Sequence, residues 1–299
     1  MRRYPAKLLL FGEHILLLGA RAMAVPVPAF GGAWSEASEE TPWRASLRAF
    51  AASRDLQQMG MLDTSRFQAE LEAGLFFDSN IPSGYGLGSS GALCAAVYDR
   101  YAFDKTSDLP VLKQLFARME SYFHGQSSGI DPLTSYLNRA LWIEDRHAVR
   151  FAEPANWQQE PPLIFLLDTH TPRQTGPLVQ WFLEQSRKPD FALLLEQSLF
   201  PVHSALLEAW ESGDNETFWQ ALRQVSAFQA THFEPMIPAA LRASWEHGLQ
   251  SDAYVLKVCG AGGGGFVLGF GTSKAKILSQ LGTTFAPVFP FEQDAMVEK

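Results

Sequence analysis

Apolar residues along this chain come in two spacings, short unbroken runs and helical stripes, and the two alternate. Lys-Leu-Leu-Leu-Phe (7–11) and Ala-Met-Ala-Val-Pro-Val (22–27) are short runs bounded by glycine, proline or charge, which predicts two strands flanking a polar turn. Residues 31–46 read as a loop, 47–59 as a helix, and 67–82 as a segment that ends in a strand. Helical spacing returns at 91–103 and at 109–123, where Leu112, Leu115, Phe116, Met119 and Phe123 form one stripe. A glycine-serine loop opens 124–137 and runs into a further helix, and 140–151 predicts a strand pair.

The polar, proline-rich stretch 152–162 predicts a domain boundary, giving domains over 1–156 and 157–299. Beyond it come a strand at 163–168, helical segments near 177–187, 191–211, 214–230 and 238–249, and strands at 253–258 and 265–270. A helix at 272–281 and a strand at 285–291 close the chain. The order β, helices, β, β, α, β fits a split β-α-β layout with inserted helices.

Composition narrows the class without changing that layout. With 46% hydrophobic and 19% charged residues in 299, the chain is globular rather than disordered. A net charge of −8 argues against a nucleic-acid partner, because phosphate backbones need clustered Lys and Arg. It leaves room for a small anionic ligand held by a local site. Cys94 and Cys259 belong to no CxxC, so the expectation is a reduced pair in a cytoplasmic protein. No run reaches the roughly 18 apolar residues of a membrane span, so no membrane partner is expected. The basic, leucine-rich start is cut by Gly12-Glu13-His14, which argues against a secretory leader and for part of the mature fold.

Four stretches carry possible chemistry. Ile81 to Leu93 packs four glycines and three serines directly before a helix. Glycines permit positive φ, successive N–H groups form a concave anion site, and a helix start near Ser89 or Ser90 adds its positive end. The other reading is a flexible loop and a capped helix. No Gly-Lys-Ser/Thr follows, so this is not a Walker loop. Gly260 and Gly262 to Gly265 lie between two predicted strands, more glycine than a hairpin needs, which implies a close approach to the backbone. Glu120 sits at the edge of the apolar stripe, either half-buried and in want of a cation or simply at the surface. Asp131 precedes Pro132, where an aspartate also serves as a plain turn or cap residue. Lys7 opens the first strand and Glu13-His14 follow it, lining either a pocket or an exposed turn.

Taken in order, these stretches resemble the GHMP small-molecule kinases. The family's Pro-Gly-Lys strand and Phe-Gly-Glu-His turn correspond to Pro5-Ala6-Lys7 and Phe11-Gly12-Glu13-His14. Its Pro-x-x-x-Gly-Leu-Gly-Ser-Ser-Ala corresponds to Pro82 and Gly86-Leu87-Gly88-Ser89-Ser90-Gly91. Glu120, His124, Gly125, Ser128, Gly129 and Asp131 match a further segment, Lys257 to Gly265 the last motif, and Pro172, Arg173 and Thr175 a looser one. The resemblance implies an α+β, two-domain fold: an N-terminal ribosomal-protein-S5-like domain and a C-terminal ferredoxin-like split β-α-β domain with inserted helices. It implies ATP and Mg²⁺ as cofactors, with Pro82, Gly86, Leu87, Gly88, Ser89, Ser90 and Gly91 around the phosphates, and Ser90 and Glu120 on the metal. Asp131 would take the proton of the acceptor hydroxyl, with Lys7 beside it stabilising the transferring charge. Glu13, His14, Arg173, Thr175, Gly262 and Gly263 would line the pocket of a small hydroxy acid. Phe-Gly-Glu-His and Ser-Gly-x-Asp favour the members that phosphorylate mevalonate. Sugar, homoserine or phosphomevalonate acceptors, or a ligand sensor without catalysis, are the alternatives. A homodimer is the expected assembly. Four departures stand out: Ala6 for Gly, Gly91 for an Ala at a helix start it would loosen, Gln126-Ser127 for Asn-Pro, and His170-Thr171 for Lys-Val.

Overall fold

The computed structural model describes residues 2–36, 42–172, 175–281 and 285–291. Two compact units emerge, and neither is one stretch of chain. The first comprises Met1–Leu8, Ala24–Pro82 and Leu87–Phe151; the second comprises Leu9–Met23, Ser83–Gly86 and Ala152–Lys299.

The first part of the chain forms β1 (Arg3–Phe11), β2 (Ala22–Glu36), α1 (Pro42–Ala51), α2 (Arg54–Gln57), α3 (Thr64–Glu72) and β3 (Leu75–Ser79). Then come α4 (Ser89–Tyr101), α5 (Leu109–His124), α6 (Ile130–Leu137), β4 (Leu141–Ile143) and β5 (Val149–Phe151). The sheet order is β1-β2-β4-β5, with β3 also pairing β2. β2 continues to Glu36, through residues whose two glycines suggested a loop. Those glycines serve packing: a Cβ on Gly32 would lie 2.3 Å from the Phe77 ring. Trp34, opposite Phe77 in the antiparallel register, is buried edge-on against Phe67, Phe77 and Tyr101. The helix expected over 47–59 breaks at Ser53, whose side chain accepts the Leu56 N–H and starts α2. α3 precedes β3 because Asp63 caps it, accepting from the Arg66 N–H at 2.9 Å.

α4 carries small residues, and every position from Gly91 to Tyr98 is buried. It packs against α5 and α6. On α5 the stripe is Leu112, Phe116, Met119 and, unexpectedly for a carboxylate, Glu120 at 4% exposure.

The second unit adds β6 (Leu163–Asp168), α7 (Thr175–Ser186), α8 (Pro189–Leu194), a π-helical stretch Leu195–Leu199, α9 (Phe200–Ser212), α10 (Asn215–His232) and α11 (Arg242–Gln250). It ends with β7 (Tyr254–Lys257), β8 (Phe266–Gly271), α12 (Lys274–Leu281) and β9 (Pro287–Val288). The sheet order is β7-β8-β6-β9, and each pairing is antiparallel. β8 therefore lies between β6 and β7, which the long helical insertion joins: this is the split β-α-β layout. Phe11, Trp210, Phe218 and Phe270 form its aromatic core, with Phe11 stacked on Phe270 at 5.7 Å. Among the described residues no helix is long and apolar enough to cross a membrane, and Cys94 and Cys259 are both buried.

Candidate active site

The first unit gathers Lys7, Gly88, Ser90, Glu120 and Asp131. β1 presents Lys7, whose backbone N–H donates to the Leu87 carbonyl at 2.8 Å and ties the strand to the glycine turn. Its Nζ lies 2.5 Å from Asp131 Oδ1. Asp131 occupies the first turn of α6, which begins at Gly129 in the left-handed region, φ 75°. Only glycine fits there, since a Cβ would lie 2.1 Å from the Lys113 carbonyl oxygen on α5. The other oxygen of Asp131 faces the glycine turn: a Cβ on Gly88 would be 3.0 Å from Oδ2. Gly91 is tighter still, its imagined Cβ 2.7 Å from Asp131 Cβ and 2.8 Å from Pro132 N. Gly91 thus closes α4 onto α6, where the sequence suggested a loosened helix start.

Gly86 and Gly88 both have positive φ, 71° and 70°. Gly88 is the N-cap of α4 and offers no side-chain acceptor, so no cap competes for the first-turn N–H groups. That is the geometry of an anion site at a helix start. Leu87 is buried, while Pro82, Ser89 and Ser90 are partly exposed.

Glu120 accepts from Ser90 Oγ at 3.1 Å and from Ser127 Oγ at 2.5 Å, and His124 Nε2 lies 2.9 Å from Ser90 Oγ. Ser90 has one proton, which goes to Glu120, so His124 is the donor in its bond to Ser90. Burial, reinforced by the charge of Asp131, pushes the Glu120 carboxyl up to about 7, against the pull of the Ser127 and Ser90 hydrogen bonds and of Lys7. A buried carboxylate that also feels the charge of Asp131 favours a cation beside it. The donor set fits Mg²⁺: a hydroxyl and a carboxylate are hard oxygen ligands, and this ion binds through one or two carboxylates plus phosphates. Among the described residues no group of three or more His, Cys, Asp or Glu forms an all-protein metal cage.

The second unit holds the other predicted residues. Glu13 is turned inward, its Oε1 2.5 Å from Lys257 Nζ, which also donates to the carbonyls of Leu10 (3.0 Å) and Val258 (3.1 Å). His14 takes φ 64°, packs between the rings of Phe182 and Phe233, and bonds through Nε2 with the Ala261 carbonyl at 3.1 Å. Gly262 and Gly263 both have φ 74°. The close approach expected of this glycine run is made by the chain itself: a Cβ on Gly262 would be 2.6 Å from the Met236 oxygen, and one on Gly265 3.0 Å from Tyr85 Cα. Arg173 lies outside the described residues, as does the side chain of Thr175, which opens α7. Sequence reasoning met Ser127 only as a departure from the family pattern and Lys257 only as the start of its last motif, and gave neither a role; the one available signal was a lysine in the otherwise apolar Tyr-Val-Leu-Lys-Val.

Residues 49–139, which include Ser90, Glu120 and Asp131, match the model of the GHMP kinases N terminal domain. Over 274 residues, 89% of this chain and 90% of the relative, it is 26% identical to the mevalonate kinase of Archaeoglobus fulgidus. Residues 49–139 thus carry the pattern of a GHMP kinases N terminal domain. GHMP kinases are phosphotransferases that use ATP and Mg²⁺. The GHMP kinase fold is seen directly in solved structures. That of L. major mevalonate kinase in complex with R-mevalonate superposes with TM-score 0.65 at 16% identity, covering 97% of this chain and 95% of that one. Streptococcus pneumoniae phosphomevalonate kinase gives TM-score 0.66 at 16% identity, covering 96% and 97%. At these identities the two structures establish the α+β fold alone.

Proposed function

We propose that this protein is a GHMP kinase that transfers the γ-phosphoryl group of ATP to the primary hydroxyl of mevalonate, giving 5-phosphomevalonate for isoprenoid precursor synthesis. The observation that carries the chemistry is the pair Lys7 Nζ–Asp131 Oδ1 at 2.5 Å, set against Gly88. With Oδ1 held by Lys7, Oδ2 is the atom that takes the acceptor proton, beside the turn that holds the phosphates. Lys7 then balances the charge that develops as the phosphoryl group moves; such transfers depend chiefly on positioning and electrostatics. The backbone of Gly86–Gly91 and the start of α4 hold the polyphosphate, and Ser90 and Glu120 hold magnesium. Bound magnesium supplies neutralisation of phosphate charge. His14, Arg173, Thr175, Gly262 and Gly263 bind the acid, Arg173 being suited to its carboxylate. Glu13, engaged by Lys257, shapes the turn that carries His14.

Mevalonate as acceptor is supported by the 26% identity to the archaeal mevalonate kinase over nine-tenths of its length. A phosphomevalonate acceptor is the second reading: the fold is common to both kinases and does not discriminate between the two acceptors. Phosphorus NMR of products from mevalonate, phosphomevalonate, homoserine and galactose tests both. A phosphomonoester from mevalonate alone is expected; a diphosphate from phosphomevalonate, with mevalonate inert, overturns the proposal. Asp131→Ala is expected to lower kcat by about 10²–10⁴, and near-normal turnover removes Asp131 from its role.

A further inference from the structure

Both oxygens of Glu120 are engaged by serines from different elements. Ser90, in the first turn of α4, lies on Oε1 at 3.1 Å, and Ser127, in the loop between α5 and α6, lies on Oε2 at 2.5 Å. Ser127 Oγ also accepts the Gly129 N–H at 3.0 Å. A hydroxyl carries a single proton. With Gly129 bonded to the oxygen's acceptor side, that proton is aimed at Glu120. The serine is held in turn by the chain's need for Gly129 against α5, so its position is fixed from both ends.

We propose that Ser127 is a positioning residue for magnesium: it anchors Glu120 Oε2 and turns Oε1 toward Ser90, presetting the oxygen pair that takes the ion. Left to itself, a glutamate carboxylate rotates easily, because its terminal torsion is broad and two-fold. Mg²⁺ demands near-ideal octahedral geometry at short distances and tolerates a wandering ligand poorly. Outer hydrogen-bond partners of ligating carboxylates typically contribute 10–100-fold in metal affinity. This inference rests on the phosphoryl-transfer reading of the site and is independent of which acceptor is used.

The test is calorimetric titration of the full chain with a non-hydrolysable ATP analogue, in EDTA and at graded Mg²⁺, for wild type, Ser127→Ala and Ser127→Thr. Ser127→Ala is expected to raise the Mg²⁺ concentration for half-maximal enhancement of nucleotide affinity by about 10–100-fold, with affinity in EDTA unchanged. Ser127→Thr keeps the hydroxyl and is expected to stay near wild type. Thermal melts accompany each titration; should Ser127→Ala melt below the assay temperature, Ser127→Cys replaces it, keeping the volume with only a weak donor. A wild-type Mg²⁺ response in Ser127→Ala overturns the proposal. So does an equal loss in EDTA, which marks a loop defect. Wild-type affinity indifferent to Mg²⁺ overturns it together with the kinase reading, whereas a normal Mg²⁺ response without product from mevalonate overturns only the acceptor.

Discussion

Lys257 and Glu13 leave 1% and 2% of their side chains exposed, and the lysine spends all three of its donors inside the protein. Such a pair brings little net stability over an apolar replacement, but losing one partner strands a buried charge. Lys257→Met and Glu13→Gln are each expected to cost about 3–5 kcal/mol. The double variant is expected to be more stable than either single one, because no charge is left without its counterpart. Urea unfolding of the four proteins measures this, and singles whose costs simply add remove the coupling. Lys7, Ser90 and Glu120 drew notice in the sequence because each interrupts a pattern: charge at a strand start, hydroxyl among glycines, carboxylate on an apolar stripe; Asp131 before Pro132 read as a plain turn or cap residue, and only the resemblance singled it out. Lys257 was given no role, since one lysine at a strand end reads as a solvated terminus, and only tertiary structure reveals Glu13 opposite it. Ser127 was equally hidden, because its meaning depends on a rotamer.

At the scale of elements, α4 and α6 meet at Gly91 with no space for a methyl group, and the nearest atoms include backbone of Asp131 and Pro132, which cannot swing aside. Gly91→Ala is therefore expected to cost about 1–3 kcal/mol by overpacking. It is also expected to shift Asp131 from Lys7, lowering kcat more than it changes KM for ATP. Melting and steady-state kinetics check the two parts; an alanine variant as stable and active as wild type shows that the helices can separate freely. The same physics explains which elements could be foreseen. β6 and β8 are unbroken apolar runs and were plain. The far half of β2 was hidden because Gly31 and Gly32 read as turn residues, although they are glycines so that Phe77 and the chain near Tyr4 can lie close. α3 was missed because its start depends on a single capping aspartate. The helix seen at 191–211 is in fact divided by a π-helical stretch with Pro201 just after it, a local irregularity that periodicity averages away.

At the scale of the whole molecule, two buried groups oppose each other in the dependence of stability on pH. Burial pushes Glu120 from 4.5 up to about 7, with Asp131 adding to the shift and Lys7 opposing it. Between those values the folded chain holds a proton that the unfolded chain lacks, so this group's contribution falls as pH rises, by about 1.4 kcal/mol per unit. His203, buried with Nε2 2.8 Å from the Arg21 carbonyl, is driven by burial from 6.5 down to about 4, against the pull of that hydrogen bond and with the charges of Lys257 and Arg21 adding to the fall. Here the unfolded chain holds the extra proton, so stability is present above 6.5 and lost as pH falls toward 4. From pH 4.5 to 6.5 the two slopes cancel. In EDTA, with unfolding free energy summed over the whole chain, Glu120→Gln is expected to tilt the wild-type profile by about +1.4 kcal/mol per pH unit in that window. His203→Gln, which keeps a donor for the Arg21 carbonyl, is expected to tilt it by the same amount the other way. Urea titrations at pH 4.5, 5.5 and 6.5 suffice. If both variants run parallel to wild type, the two groups titrate alike in the folded and unfolded chain. If only Glu120→Gln does, Glu120 titrates alike in the folded and unfolded chain and its burial carries no shift, while His203 still tilts the profile.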